Sequence, residues 1–173
     1  MARVFIGIGS NIDPDRNIRA ALRLLSHVTR VTAISTFYVT DPEGRPEQPR
    51  YYNGVAEIET DLPPAQLKHD ALRHIESELG RNRSDDKHAP RTIDLDILIY
   101  DDLIISSDDL VIPDPEIANR PYLAIPLAEL IPEFTPPGTN QRLAESAAEF
   151  TFGDMEPLSE YTKLLREDLR QRS

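Results

Sequence analysis

Two aspartates, Asp94 and Asp96, stand two residues apart in the run Pro90-Arg91-Thr92-Ile93-Asp94-Leu95-Asp96-Ile97-Leu98. Alternating β-branched residues mark 92–100 as a mostly buried strand, and charges on a buried strand need a reason. Side chains alternate across a sheet, so both carboxylates leave the strand on one face, with Cα atoms roughly 6.5–7 Å apart. That gap lets the pair share or flank two Mg²⁺ ions, which take oxygen ligands at ~2.0–2.1 Å and keep several waters or phosphate oxygens. The competing reading is an exposed strand face whose carboxylates are neutralised by arginines. Arg81, Arg83, Lys87 and Arg91 lie just upstream in a chain that is otherwise acidic. Carboxylates for metal beside guanidinium forks for phosphate are the equipment of phosphoryl transfer.

Other candidate groups are less specific. Gly7-Ile8-Gly9-Ser10-Asn11 fails as a dinucleotide fingerprint, because Ile12 stands where a third glycine is needed; it reads as a tight turn after a strand. Tyr51-Tyr52-Asn53 is either core and cap, or two aromatics that stack a flat heterocycle beside an amide that bonds its edge. His27, His69 and His74 have no ligand-like spacing and read as helix-surface residues.

The elements that must position these residues follow from periodicity. Residues 3–9 read as a buried strand. Asp13-Pro14 starts a helix in which Ile18, Leu22 and Leu25 recur at helical spacing. Residues 30–40, rich in Val, Ile, Thr, Phe and Tyr, read as one strand, 41–50 as a Pro-rich loop, and 52–60 as a further strand. Leu62-Pro63-Pro64 opens a second helix, with Leu67, Ala71, Leu72, Ile75 and Leu79 on one face and Gly80 at its end. After the strand at 92–100, Asp101-Asp102 and Leu103-Ile104-Ile105 suggest a hairpin. Residues 113–122 form a Pro-bounded loop, 123–131 a short helix and 155–170 a terminal amphipathic helix. The order β-α-β-β-α-β is ferredoxin-like, so the expectation is an α+β fold with an antiparallel sheet and helices packed on it. One domain over 1–173 is expected, with a C-terminal helical extension over about 150–173.

Composition narrows the partners. The chain has 173 residues, no Cys and a formal net charge of −11, which excludes disulfide scaffolds and thiolate chemistry and argues against broad nucleic-acid binding. No apolar run approaches ~18 residues, and the N-terminus lacks a signal-peptide pattern, so a cytoplasmic protein without membrane contact is expected.

Phe5-Ile6-Gly7-Ile8-Gly9-Ser10-Asn11, Tyr51-Tyr52-Asn53, the Arg-Thr-Ile-Asp-Leu-Asp-Ile-Leu string and the Pro-rich stretch 113–127 occur in an order and spacing that resemble the 6-hydroxymethyl-7,8-dihydropterin pyrophosphokinase family of folate biosynthesis. The resemblance covers about 3–145. It implies an ATP-dependent diphosphotransferase that uses two Mg²⁺ ions and passes the β,γ-diphosphate of ATP to the hydroxymethyl oxygen of the pterin, releasing AMP. It makes Asp94 and Asp96 metal ligands and, with Arg81 and Arg91, the catalytic set. Arg81, Arg83, Arg91, Ile97 and Arg120 fall at ATP-facing positions. Thr40, Pro42, Glu43, Tyr51, Asn53 and Tyr122 fall at the pterin pocket, and the loops 41–50 and 81–91 at covers over it. Glu76 matches a further family carboxylate. Four positions depart from the family pattern: Asp114 replaces a His, Ala118 a frequent Lys, and His88-Ala89 the usual aromatic and Gly.

Two other readings stand beside this one. Asp114 and Ala118 fit a pterin- or nucleotide-binding member without catalysis, or a kinase acting on a modified pterin. A nucleotidyl cyclase or polymerase-like palm also carries an Asp pair on such a sheet, but the small size and acidic surface disfavour a polymer substrate. The expected partners are therefore the two small substrates, with the chain a monomer or homodimer. The terminal helix either packs on its own domain or forms a dimer contact.

Overall fold

A computed structural model describes residues 1–81, 86, 88–150 and 155–172. Strand β1 (Ala2–Ser10) is buried along its last seven residues, as a strand covered on both faces must be. It lies between β4 (Tyr51–Thr60) and β5 (Asp94–Tyr100), antiparallel to both. The sheet runs β5-β1-β4-β3-β8, where β3 is Tyr38–Thr40 and β8 is Glu156–Pro157; β2 (Arg30–Ile34) also pairs with β4. Taken with β2 and β3 as one interrupted strand, this is the expected ferredoxin-like α+β arrangement.

Helices cover both faces. Helix α1 (Pro14–Val28) buries Ile18, Ala21, Leu22 and Leu25. Asp13 precedes it in the left-handed region (φ 47°) and forms no side-chain cap. The second helix is continuous in three parts: α2 (Pro64–Gln66), a π-helical stretch Leu67–Leu72, and α3 (Arg73–Glu78). These pack with Val4, Ile6 and Ile8 in one core. On the other face α4 (Pro121–Leu130) and α5 (Leu143–Ala148) meet Phe5, Val55 and Leu98 in a second. The sequence reading contains no counterpart of α5.

Three expected elements differ. The strand expected over 30–40 is interrupted because its middle is claimed by the C-terminal segment. The Phe37 amide donates to Thr162 Oγ1 (2.9 Å), and the Phe37 carbonyl accepts from the Leu158 amide (2.7 Å). The run after Asp101-Asp102 does not fold back on β5. Instead β6 (Ile105–Ser106) pairs with β7 (Val111–Ile112) in a separate ribbon, and at the bulge in β5 the Leu98 carbonyl accepts from the Asp114 amide (2.9 Å). Finally, the stretch 155–170 is not all helix: β8 extends the sheet, and α6 (Ser159–Arg172) then returns over α1 and β2. Leu165 is 1% exposed there, so α6 packs on its own chain.

Candidate active site

The site lies on the α4 face of the sheet, and glycine makes room for it. In the β1 register Gly7 opposes Val55 and Asp96, and Gly9 opposes Asn53 and Asp94. Opposed residues in antiparallel strands share a face, so the two glycines floor a groove between an amide wall and a carboxylate wall. A Cβ at Gly9 would stand 2.6 Å from Asn53 Oδ1, and one at Gly7 3.3 Å from the Leu98 side chain. The pair is thus a clearance inside a strand rather than a turn. The resulting cavity holds about 380 Å³.

On the carboxylate wall the two aspartates part company. Asp94 Oδ1 accepts from Arg81 Nη1 (2.9 Å) and its Oδ2 from Arg91 Nη1 (2.7 Å). Asp96 forms no ion pair or hydrogen bond with the described residues. It opens into the cavity, yet it sits low in a protein wall beside like charges. Burial, then Asp94, Glu76 and Asp114, push its carboxyl up to about 8. Burial also raises Asp114, whose carboxylate lines the cavity and accepts the Glu116 amide (2.8 Å).

Behind the wall Glu76 is 2% exposed; it accepts the Leu95 amide (2.9 Å) and pairs with Arg81. The helix end explains the placement. Gly80 (φ 80°) ends the helix with the Arg81 amide on the Glu76 carbonyl (3.1 Å) and the Gly80 amide on that of Ser77 (3.0 Å). This Schellman turn brings the side chain of Arg81 back over Glu76. The Arg81 side chain is only 11% exposed and does not line the cavity. It stands behind Asp94, paired with that carboxylate and with Glu76.

The opposite wall carries recognition groups. Asn53 Nδ2 donates to Thr40 Oγ1 (2.7 Å), and Tyr51 and Tyr122 line the cavity. Burial raises both phenols, Tyr122 to about 12. Tyr52, next in line, faces the core and packs on Tyr161 at 5.6 Å. At the start of α4 Arg120 lies over the Tyr122 ring (5.9 Å) and pairs with Glu43 of the 41–50 loop.

Of the residues named from the sequence, Thr40, Glu43, Tyr51, Asn53, Arg91, Asp94, Asp96, Arg120 and Tyr122 meet at this cavity. Pro42 lies outside its lining. The Ile97 side chain points the other way into the α1-side core, as its odd position between Asp96 and Leu98 requires. Arg83 and Lys87 fall outside the described residues. The sequence reading passed over Asn11, Gln48 and Glu116, and took Gly7 and Gly9 for a turn. The only signal for the glycines was their period of two on one face of a strand.

The family profile of 7,8-dihydro-6-hydroxymethylpterin-pyrophosphokinase (HPPK) matches residues 5–132. A 2-amino-4-hydroxy-6-hydroxymethyldihydropteridine pyrophosphokinase of Pseudomonas aeruginosa is 39% identical over 159 residues, 90% of this chain and 96% of the relative. One from Haemophilus influenzae is 38% identical over 153 residues, 87% and 94% of the two chains. Among solved structures, wild-type Plasmodium falciparum HPPK-DHPS with pteroate superposes with a TM-score of 0.69 at 13% identity, over 99% of this chain and 45% of that one. The S436F/A437G/A613T triple mutant with STZ-DHP gives a TM-score of 0.70 at 14% identity, over 86% and 43%. This chain therefore spans under half the length of those solved chains.

Proposed function

The chain belongs to the 7,8-dihydro-6-hydroxymethylpterin-pyrophosphokinase family, and from that premise we propose that this cavity passes diphosphate from ATP to 6-hydroxymethyl-7,8-dihydropterin in folate biosynthesis. The pterin hydroxymethyl oxygen forms a bond to the β-phosphorus as the bond from that phosphorus to the α,β-bridging oxygen breaks. The electron pair leaves on AMP. The single observation that carries this reading is one cavity lined by Asp96, an open carboxylate, together with the Asn53–Thr40 pair and two tyrosines.

The residues fit a hard cation. Asp94 and Asp96 offer oxygen only, and no group of three or more His, Cys, Asp or Glu among the described residues forms a full cage. Mg²⁺ suits such a site because it keeps waters and phosphate oxygens for the rest of its shell. Asp94 can accept two guanidinium bonds and still present a lone pair, since an ionised carboxylate has about four acceptor sites. Two ions, held by Asp94 and Asp96, are part of the proposal; when bound they would neutralise the polyphosphate and acidify the hydroxymethyl oxygen.

The chain's own groups do the remainder. Arg91, at the cavity edge, gives charge-assisted bonds to phosphate, as does Arg120 once it exchanges Glu43 for a phosphate oxygen. Arg81 and Glu76 hold Asp94 and the start of β5 in place. Tyr51 and Tyr122 take the faces of the pterin ring, and Asn53 with Thr40 takes its amide edge, so that orientation lowers the barrier. The reading places this reaction in the cytoplasm, with the chain a monomer or homodimer. Among the described residues no helix is long and apolar enough to cross a membrane.

The test is the nucleotide product. Protein with Mg-ATP and the hydroxymethyl-dihydropterin should yield AMP and the pterin diphosphate in equal amounts. ADP as the sole nucleotide product, or no pterin-dependent turnover, rejects the reading.

A further inference from the structure

Asn11, where the chain leaves β1, is 2% exposed, and every polar group of its side chain is engaged. Its Oδ1 accepts the Arg91 amide (2.8 Å), and its own amide donates to the Arg91 carbonyl (3.1 Å). Its Nδ2 donates the other way, to Gln48 Oε1 (3.1 Å) and the Pro49 carbonyl (3.3 Å). One arm thus grips the residue whose guanidinium holds Asp94. The other grips the 41–50 loop, which carries Glu43 and leads into Tyr51. Two outer contacts join the same segments: Gln48 Nε2 donates to the His88 carbonyl, and Arg45 pairs with Asp86. An exposed ion pair like the second contributes little. Removing Asn11 would instead orphan part-buried backbone groups on both sides, which costs far more.

We propose that Asn11 is a positioning residue that couples the pterin side of the cavity to its phosphate side. A ligand that settles the 41–50 loop pulls on Arg91 through one buried amide, and a ligand on Arg91 pulls on the loop. The coupling is reciprocal, as any equilibrium linkage between two sites must be. The inference rests on the functional reading above.

Pterin dissociation constants measured with and without a non-hydrolysable Mg-ATP analogue read the coupling directly. The wild type should bind pterin at least about 5-fold more tightly when the nucleotide site is filled. In Asn11→Ala that factor should collapse to within about 2-fold of unity, while pterin affinity without nucleotide changes by less than about 3-fold. A merely structural role would weaken both affinities and leave the factor intact, and that result overturns the proposal, as does a wild type with no coupling. Should Asn11→Ala fail to fold, Asn11→Asp keeps the acceptor for the Arg91 amide and removes the donor to Gln48 and Pro49, so it cuts the loop arm alone and must show the same collapse; an unchanged factor there rejects the idea equally. AMP formation by the wild type is scored separately. Its absence counts against the functional reading, whereas AMP formation with unaltered coupling counts against Asn11 alone.

Discussion

Asp94 and Asp96 are one residue type on one face of one strand, and their surroundings give them different work. Asp94 is a fixed charge, clamped by two guanidiniums. Asp96 is an open carboxyl crowded by three other acidic groups. Asp96→Asn relieves that crowding and removes the cation ligand together. It should hold or raise the melting temperature of the metal-free protein while AMP formation falls by about 100-fold or more; a calorimetric scan beside the turnover assay checks both. The same residue sets a pH dependence. Its carboxyl is raised from 3.8 to about 8 on folding, so the folded chain binds the proton more tightly than the unfolded one. The stabilisation that follows is complete below about pH 4 and is lost as pH climbs through about 8. Asp114, also raised, acts in the same sense. In EDTA the melting-temperature contribution of this group should therefore fall between about pH 4 and about pH 8, and Mg²⁺ should cancel the fall by taking the place of the proton.

At the scale of elements, the groove exists because β1 places glycine at two same-face positions next to the strands that carry Asn53 and the aspartates. Gly9→Ala keeps a strand-compatible backbone but sets a methyl 2.6 Å from Asn53 Oδ1. Asn53 would then leave Thr40, and the KM for pterin should rise at least about 10-fold, with a stability loss of about 1–3 kcal/mol; the KM for ATP should move far less, and steady-state kinetics separate the two. Most elements were legible from periodicity: β1, α1, β4, α4 and β5 lie within a residue or two of where the apolar spacing puts them. The interrupted strand at 30–40 and the separate β6–β7 ribbon were not. The partner that interrupts the first, Thr162 for Phe37, lies 125 residues away, and the Leu98–Asp114 bond beside the second sits at a bulge set where β5 pairs with the distant β1.

For the whole molecule, the C-terminal segment is part of the sheet and of the core. Strand β8 extends the sheet beyond β3, and Leu165 seats α6 among Leu25, Ile34 and Phe37 in the main core. Leu165→Ala should cost about 3 kcal/mol, within the range for a fully buried leucine, and denaturant titration measures it. Since the site lies on the opposite face of the sheet, kcat well below the melting temperature should stay within about 2-fold of the wild type.

The residues alone determined β1, α1, β4, the second helix, β5 and α4 in their order, the shared face of Asp94 and Asp96, and the resemblance that the family match confirms, because periodicity and short motifs are local properties of a chain. Tertiary structure decided which aspartate is clamped and which is open, that Arg81 pairs with both Glu76 and Asp94, that the Ile97 side chain belongs to the core, and that Asn11 ties two loops together. Each of these depends on which distant segments meet, and no local pattern encodes the partner across a fold.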